Sequence, residues 1–225
     1  MWLEVTIRWI LHMWRSWTRT PGCKKAAATL ALNFSSRDKV GISERNLPLL
    51  KHGAGVRNVM WGSFDGMDIV AFDAWYVSES FAPYEMTCAI ADVNARCPAL
   101  VIETRVRRGR DSQKVDLPIV SDSELEKFNQ EFVVRCGDRY FASAFVDQRM
   151  IEWLIEQPPG SHFEAADDRI LIAFNLRKPD ETRDVLLALR AFRDRIPRVI
   201  LSLYPGAVPS SPGTGGLSPP RSPRS

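Results

Sequence analysis

Three aspartates close together are the first residues of this sequence whose types and spacing could do chemistry. Asp65, Asp68 and Asp73 lie in one short segment, and clustered carboxylates are the ligands that hard divalent cations prefer. However, Asp65 precedes Gly66, and an Asp-Gly pair is a strong signal for a tight hairpin turn. Asp68 and Asp73 are separated by an odd number of positions, so on a regular strand they point to opposite faces. We therefore expect no metal site here.

Asp73 stands out because it interrupts the apolar segment MDIVAFDAWYV. A buried carboxylate requires a partner, and we expect Arg135 or Arg105, from another strand, to supply it. The sequence thus favours a structural ion pair. The alternative is an enzyme whose acids and arginines converge only in three dimensions, at a concave site built from Asp73, Glu103 and Arg135.

A second group of charged residues lies between apolar residues near position 150. The pattern predicts two short helices, over about 139–146 and 148–157, with Asp147 as the N-cap of the second. Arg149 and Glu152 are three positions apart on the same helical face, where they can pair only weakly. We expect a structural role for this segment and predict no catalytic residue in it.

Other signals for chemistry are weak. The sequence has no phosphate-binding glycine-rich motif, no HExxH and no G-x-S-x-G. Its histidines are far apart and in dissimilar contexts, which favours exposed or hydrogen-bonded side chains over ligands: His12, His52 and His162. We expect neither a bound metal nor a cofactor.

The cysteines have neither CxxC spacing nor a nearby histidine that would complete a zinc site: Cys23, Cys88, Cys97 and Cys136. So few cysteines in a chain of 225 residues do not indicate a disulfide framework. We expect buried thiols in a reducing compartment, which favours the cytoplasm or the inner face of a membrane.

The charge of the chain does not indicate a nucleic-acid partner. The net charge is +3, whereas nucleic-acid binders gather basic residues on one face. One dense basic stretch is predicted to be a solvated loop: Arg105, Arg107, Arg108 and Arg110.

The N-terminal segment MWLEVTIRWILHMWRSW, residues 1–17, is unusually rich in tryptophan. Glu4 and Arg8 interrupt it, so it lacks both the apolar region of a secretory signal and the ~20 apolar residues of a membrane-spanning helix. At helical periodicity its residues separate into two sides. The apolar side contains Ile7, Ile10, Trp14 and Trp17, and the polar side contains Glu4, Arg8, His12 and Arg15.

An amphipathic helix of this kind is typical of peripheral membrane binding, and tryptophan is favoured at the bilayer interface. We expect Ile7, Ile10, Trp14 and Trp17 to contact an anionic membrane surface, with Arg8 and Arg15 facing the head groups. Two alternatives remain open at this point. The helix could dock on the protein's own sheet, or the segment could precede the domain and be poorly ordered.

The remainder of the chain predicts an α+β domain in which an antiparallel sheet of meander and hairpin strands packs against two to four helices. Strands are expected at 57–62, 67–77, 84–93 and 99–104, with a further strand before Gly137 and a hairpin over 162–174 around Asp167-Asp168. Helices are expected over about 18–32 and over 179–197. The second helix is amphipathic, with an apolar stripe along one side. The expected core around one sheet includes Phe72, Ile90, Val101, Phe145, Leu154 and Phe192.

We predict three parts for the chain: a tryptophan-rich helix over 1–17, a single α+β domain over 18–204, and a tail over 205–225. The tail is rich in Pro, Gly and Ser. It cannot bury enough apolar surface to order itself, so we predict that it is disordered.

A family resemblance rests on several strings: NVMWGSFDGMDIVAFDAWY, TCAIADV, CPALVIE, FNQEFVVRCGDRYFASAFVDQRMIEWL and IPRVILSLYP. Together, over roughly residues 24–204, they resemble an uncharacterised bacterial domain family. The resemblance implies a cytosolic α+β domain that often follows an apolar membrane segment, and it brings no catalytic residues. Family members often have Pro at the position of Gln148, which agrees with a helix break there.

These observations favour a non-catalytic binding or scaffold domain, cytoplasmic or peripheral at the inner membrane face. Its expected partners are an anionic membrane surface or another protein. The enzyme hypothesis remains the alternative, and the geometry around Asp73, Glu103 and Arg135 distinguishes the two.

Overall fold

The fold is that of a computed structural model, which describes residues 2–51, 53–77, 83–105, 116–120 and 126–206. Within these ranges, the side chains at positions 2–5, 8, 11, 13, 15, 16, 126 and 127 are not described. The predicted disordered tail, from position 207 onward, lies outside the described residues.

A seven-stranded sheet forms the centre of the protein, and every pair of neighbouring strands in it is antiparallel. Its strands are β1 (Asn33–Arg37), β2 (Gly55–Phe64), β3 (Met67–Val77), β4 (Pro83–Thr104), β5 (Ile119–Val120), β6 (Phe132–Cys136) and β7 (His162–Asn175). Strands β1 to β4 follow one another as a meander, and β6 and β5 continue the order. The predicted antiparallel α+β fold is therefore confirmed.

Strand β4 is one long strand where two were expected. The predicted turn at 94–98 is instead a stretch of irregular register within β4, between Asp92 and Leu100. The first half of β4 pairs with β3 and the second half with β6, while β7 pairs along both halves. Pro98 cannot donate to a ladder, so it fits at this irregularity. Pairing with β7 on both sides of residues 94–98 thus keeps β4 continuous, although the local sequence predicts a turn there.

Strand β7 corrects a second expectation, because 162–174 is not a hairpin. Asp167 has φ of +52°, yet the chain continues as a single strand along β4. The left-handed residue that was expected to make a turn instead lies where the register shifts, opposite Cys97. A bulge needs the same backbone conformation as a tight turn, so sequence alone does not separate the two.

The turn between β2 and β3 is the predicted hairpin. Asp65 and Gly66 have φ of +49° and +73°, as a two-residue type I′ turn requires. Strand β3 has the predicted bounds, and β2 is longer than predicted. Strand β1 was not predicted, because the segment that contains it had the composition of a loop.

Seven α-helices and one 3-10 helix are present in the described part of the chain. They are α1 (Trp2–Thr29), α2 (Pro48–Lys51), α3 (Glu126–Glu131), α4 (Arg139–Phe145), α5 (Gln148–Ile155), the 3-10 helix (Pro179–Glu181), α6 (Thr182–Asp194) and α7 (Arg198–Leu203). The two short helices α4 and α5 agree with the sequence, and so does the amphipathic helix α6.

Helix α1 replaces the two separate helices that were expected over 1–17 and 18–32. It is continuous from Trp2 to Thr29 and contains Pro21. Pro21 has no N–H to donate to the preceding turn, but the alanine-rich segment after it favours helix strongly. The boundary expected between residues 17 and 18 therefore falls inside a helix.

The sheet is covered on both faces. One face packs against α4 to α7 and forms a helix-covered core that contains Phe145, Leu154 and Phe192. The other face packs against the segment between β1 and β2 and forms a loop-covered core that contains Phe72 and Ile90. These residues and Val101 are almost fully buried around one sheet, as predicted, and the two cores lie on its opposite faces. Strand β3 is apolar on both sides because each side faces a core.

Candidate functional site

Helix α1 is fixed to the sheet by a buried ion pair. Arg19 Nε lies 2.8 Å from Asp73 Oδ2, and Arg19 Nη2 lies 2.9 Å from Asp73 Oδ1. Asn58 Nδ2 donates to Asp73 Oδ2 at 2.8 Å, and Thr20 Oγ1 donates to Asn58 Oδ1 at 2.9 Å. Arg19 Nη2 also lies 3.2 Å from Thr87 Oγ1. This bidentate, fully hydrogen-bonded geometry is what a buried carboxylate requires.

The structural role expected for Asp73 is thus correct, but its expected partner is wrong. Arg135 Nε instead lies 3.4 Å from Glu103 Oε1, and Arg105 Nε donates to the carbonyl of Asn129. The partner comes from a helix 54 positions away in the sequence and not from a neighbouring strand.

The enzyme hypothesis required Asp73, Glu103 and Arg135 to meet, and they do not. Asp73 faces α1 on the helix-covered side of the sheet. Ile102 and Val134 belong to the helix-covered core, so Glu103 and Arg135, each one position along, point to the opposite side. Consequently these three residues form no common site.

The first half of α1 also docks on the sheet. His12 is 6% exposed, and its Nδ1 lies 3.1 Å from Glu85 Oε1, which also accepts from Arg57. The His12 ring lies 5.0 Å from that of Trp75, and the Trp9 ring packs edge-on against Trp75 at 6.0 Å. His12 was expected on the polar side of the helix, facing solvent. Instead it lies on the side of α1 that contacts the sheet.

Burial lowers the pKa of His12 below its ordinary value. The positive charge of Arg57 adds to the lowering, while Glu85 opposes it. His12 is therefore neutral when docked at neutral pH, and it contributes ring packing more than a charge.

The side of α1 away from the sheet carries large apolar side chains. The exposed fractions are 48% for Ile7, 60% for Ile10, 64% for Trp14 and 80% for Trp17. Their spacing places them in one row along the helix. We call these four residues the aromatic face of α1. The side chains of Arg8 and Arg15, expected at the head groups, lie outside the described side chains.

Helix α1 therefore docks with the side that carries His12 and Arg19 inward and with its aromatic face outward. A surface helix of a globular protein normally buries its apolar stripe against the core. Here Arg19 binds Asp73 through an ion pair and His12 packs against Trp75, and the aromatic face is left in solvent. Self-docking, one of the three alternatives from the sequence, does occur, but through the opposite side of the helix from the one its hydrophobic pattern indicates.

The thiols do not provide a reactive group. Cys23, Cys88, Cys97 and Cys136 are all free and buried, as expected. Burial raises the pKa of Cys23 to about 12 and that of Cys97 to about 12, and it also raises the pKa of Cys136. Nucleophilic cysteines have a lowered pKa and are accessible, so these three are inert.

A second buried polar pair lies on the loop-covered side. His162 Nε2 lies 2.6 Å from Glu164 Oε1, which also accepts from the backbone N–H of Leu49 at 2.8 Å. Glu164 thereby holds the start of α2 against the sheet. His162 is hydrogen-bonded, as expected for a histidine that is not a ligand. The sequence signal for the pair is a spacing of two on a strand, which puts both side chains on one face.

The three aspartates that are close together in the sequence are dispersed in the fold. Asp65 pairs with Arg190 at 2.7 Å on the surface, Asp68 is exposed and Asp73 is buried. Within the described ranges there is no group of three or more His, Cys, Asp or Glu residues that could hold a metal ion.

Asp147 is the predicted N-cap, because its Oδ1 accepts from the backbone N–H of Met150 at 2.9 Å. Asp138 caps α4 in the same way, through the N–H of Phe141 at 3.0 Å. Glu152 does not pair with Arg149 as suggested; it accepts from Gln148 at 2.9 Å. The segment is structural.

Fold and surface together define an α+β protein with an apolar aromatic face on its N-terminal helix. In the part of the chain that the structure describes, no helix combines the length and hydropathy needed to cross a bilayer. No family model matches the chain, and no curated protein matches it. The resemblance to an uncharacterised bacterial family stays a prediction.

A solved structure with a similar fold is the crystal structure of the mycobacterial trehalose monomycolate transport factor A, TtfA. The TM-score is 0.61 at 13% sequence identity, and the match covers 84% of this chain and 97% of that chain. At this identity the likeness concerns the fold alone.

Proposed function

We propose that this protein is a non-catalytic binding module whose aromatic face binds an anionic membrane surface while the α+β domain serves as a scaffold. The observation that carries the proposal is the orientation of α1. Ile7, Ile10, Trp14 and Trp17 are exposed although the same helix is held firmly on its other side. A row of exposed apolar side chains is costly unless a partner covers it.

A membrane surface is favoured over a protein partner by composition. Tryptophan is enriched at bilayer interfaces because its ring is amphipathic. Arg8 and Arg15 neighbour the aromatic face in the sequence, and each basic residue near an anionic surface contributes ~1 kcal/mol. Two such residues alone bind weakly, so the apolar side chains must supply most of the affinity.

The inner face of a membrane is the proposed location, supported by four free, buried thiols. The fold of TtfA, a transport factor, is compatible with a binding or scaffold role. Asp73 and Glu103 point to opposite sides of the sheet. This removes the one specific argument for catalysis that the sequence offered.

Flotation with liposomes tests the proposal. We expect the protein to float with vesicles of phosphatidylglycerol and phosphatidylcholine. Trp14→Ala combined with Trp17→Ala should weaken binding by about tenfold or more at every salt concentration. Arg8→Gln combined with Arg15→Gln should make binding less sensitive to salt.

Trp9→Ala is the matched control, because Trp9 lies on the docked side of α1. It should lower the thermal unfolding midpoint while flotation persists, whereas the Trp14 and Trp17 changes should leave the midpoint in place. Equal flotation of the original chain and the Trp14→Ala/Trp17→Ala variant would overturn the membrane proposal. If the original chain fails to float but self-associates through the aromatic face, a protein partner replaces the membrane.

A further inference from the structure

A pocket lies between the end of α1 and the start of α6, away from the aromatic face. Its volume is about 430 Å³, within the range of about 300–1,000 Å³ typical of small-molecule sites. Ala26 and Leu30 line it from the α1 side, and Pro179 lines it from the 3-10 helix. The surface of the pocket wall is mainly apolar, although charged and hydroxyl side chains also line it.

The two elements that enclose the pocket are held in a fixed relation. A Cβ added at Gly22 would lie 2.9 Å from Pro179 Cγ, so only glycine allows this close approach. The 3-10 helix is itself held by local hydrogen bonds. Lys178 N–H donates to Glu181 Oε2 at 2.7 Å. The pocket is therefore formed before any ligand arrives.

The hydroxyl groups in the wall have no hydrogen to donate to a ligand. Thr29 Oγ1 donates to the carbonyl of Lys25 at 3.0 Å, and Thr182 Oγ1 donates to the carbonyl of Pro179 at 2.7 Å. A ligand acceptor placed deep in the pocket would lose its water and gain no hydroxyl donor, which is unfavourable. The part of a ligand that enters should therefore be hydrocarbon.

The rim of the pocket is positively charged. Lys25 and Arg183 both line it and both are exposed. In the described part of the chain, neither has a carboxylate within 4.0 Å. Asp180 is the acidic residue of the lining, so two cations face one anion. An anionic group at the mouth would complete this charge distribution.

We propose that this pocket binds a single-chain amphiphile with an anionic head group, such as a fatty acid. The hydrocarbon chain lies against Ala26, Leu30 and Pro179, and the carboxylate lies at the rim between Lys25 and Arg183. Binding is non-covalent and does not require the aromatic face of α1, so it can be tested without vesicles.

Calorimetric titration with laurate, kept below the concentration at which it forms micelles, tests the proposal. We expect saturable binding of one laurate per chain. Ala26→Phe fills the pocket and should weaken binding by about tenfold or more. Thr29→Trp, at an exposed position of the lining, provides a second filling variant that leaves the core intact. The matched control is Ala28→Phe, which adds the same ring to an exposed position of α1 outside the pocket lining and should bind laurate like the original chain.

A second set of variants tests the position of the head group. Lys25→Gln combined with Arg183→Gln should weaken binding of laurate but not of the neutral monoglyceride of the same acid. The Trp14→Ala/Trp17→Ala variant should bind laurate normally, which separates this site from the membrane face. The proposal is overturned if laurate does not saturate, if both filling variants bind as tightly as Ala28→Phe, or if the Trp14→Ala/Trp17→Ala variant loses binding.

Discussion

Asp73 accepts hydrogen bonds from Arg19 on α1 and from Asn58 on β2. Asn58 has φ of +51° and lies where the register of β2 shifts. A bulge of this kind re-aims one side chain, here toward a carboxylate buried on the adjacent strand. The ion pair sets which side of α1 faces the sheet, because an arginine paired in this way cannot turn outward without leaving a buried charge.

At the residue scale, the N-cap at Asp147 gives a direct prediction. Asp147→Ala should cost ~0.5–2 kcal/mol in the free energy of unfolding, because the N–H of Met150 loses its acceptor. Asp147→Ser should recover most of that loss, since a hydroxyl oxygen also caps. Urea unfolding of the three proteins measures the difference. If Ser fails while Asn or Glu succeeds, Asp147 has a role other than capping.

At the scale of the element, α1 combines two unlike halves. Ala27 belongs to the helix-covered core, so the second half packs in the ordinary way. The first half is held by His12 and Trp9, and its apolar residues are left in solvent. Pro21 lies between the halves, where the missing N–H removes one helical hydrogen bond.

Docking of the first half of α1 should weaken in acid. The pKa of His12 is lowered by burial, so the docked helix binds fewer protons than the released one. Stability of docking therefore rises with pH across this range and is fully present above about pH 6.5, the ordinary pKa of histidine. It is lost as the pH falls below that value. An NMR titration of the His12 imidazole should give a pKa below that measured in urea.

A His12→Gln variant provides the control for this prediction. It retains a hydrogen-bonding side chain near Glu85 and Arg57, the charged groups around His12, but does not titrate. The unfolding midpoint of the original chain should drop more between pH 7.5 and 5.5 than that of the variant, two values on the order of one pH unit either side of the ordinary pKa. Parallel midpoints for the two proteins would contradict the role given to His12.

At the scale of the whole molecule, a sheet covered on both sides supports one helical layer and one loop layer. Phe192 on α6 is fully buried and packs against Phe163 at 5.3 Å and Trp153 at 5.8 Å. Ile42 and Leu49 seal the opposite face. Helix α1 packs on the helix-covered side through Arg19 and Ala27, and its aromatic face is exposed.

Phe192→Ala should cost ~3–5 kcal/mol in the free energy of unfolding, because it leaves a cavity among aromatic rings. Leu187→Ala on the same helix is the matched control. Leu187 is 41% exposed, so its loss should change the free energy of unfolding by about 0.5 kcal/mol or less. Chemical denaturation measures both, and an unchanged midpoint for Phe192→Ala would contradict the core described for the helical side.

Local signals in the sequence determined much of this fold. Asp65-Gly66 specified the hairpin between β2 and β3, and Asp147 specified the start of α5. The apolar stripe of residues 179–197 specified the amphipathic helix α6. Each of these depends on interactions within a few residues, so the sequence pattern carries them in full. The apolar faces of β3 likewise indicated a strand covered on both sides.

Tertiary structure alone decided four further features. Pairing with β7 made one strand of β4, and the same pairing turned Asp167 into a bulge where a hairpin was expected. The partner of Asp73 came from α1, a helix distant in the sequence. The pattern of residues 1–17 gave the two sides of the helix but not which side faces the sheet. That choice depends on buried charges brought together by the fold, and their pairing outweighs the hydrophobic stripe because an unpaired buried charge costs more than an exposed tryptophan.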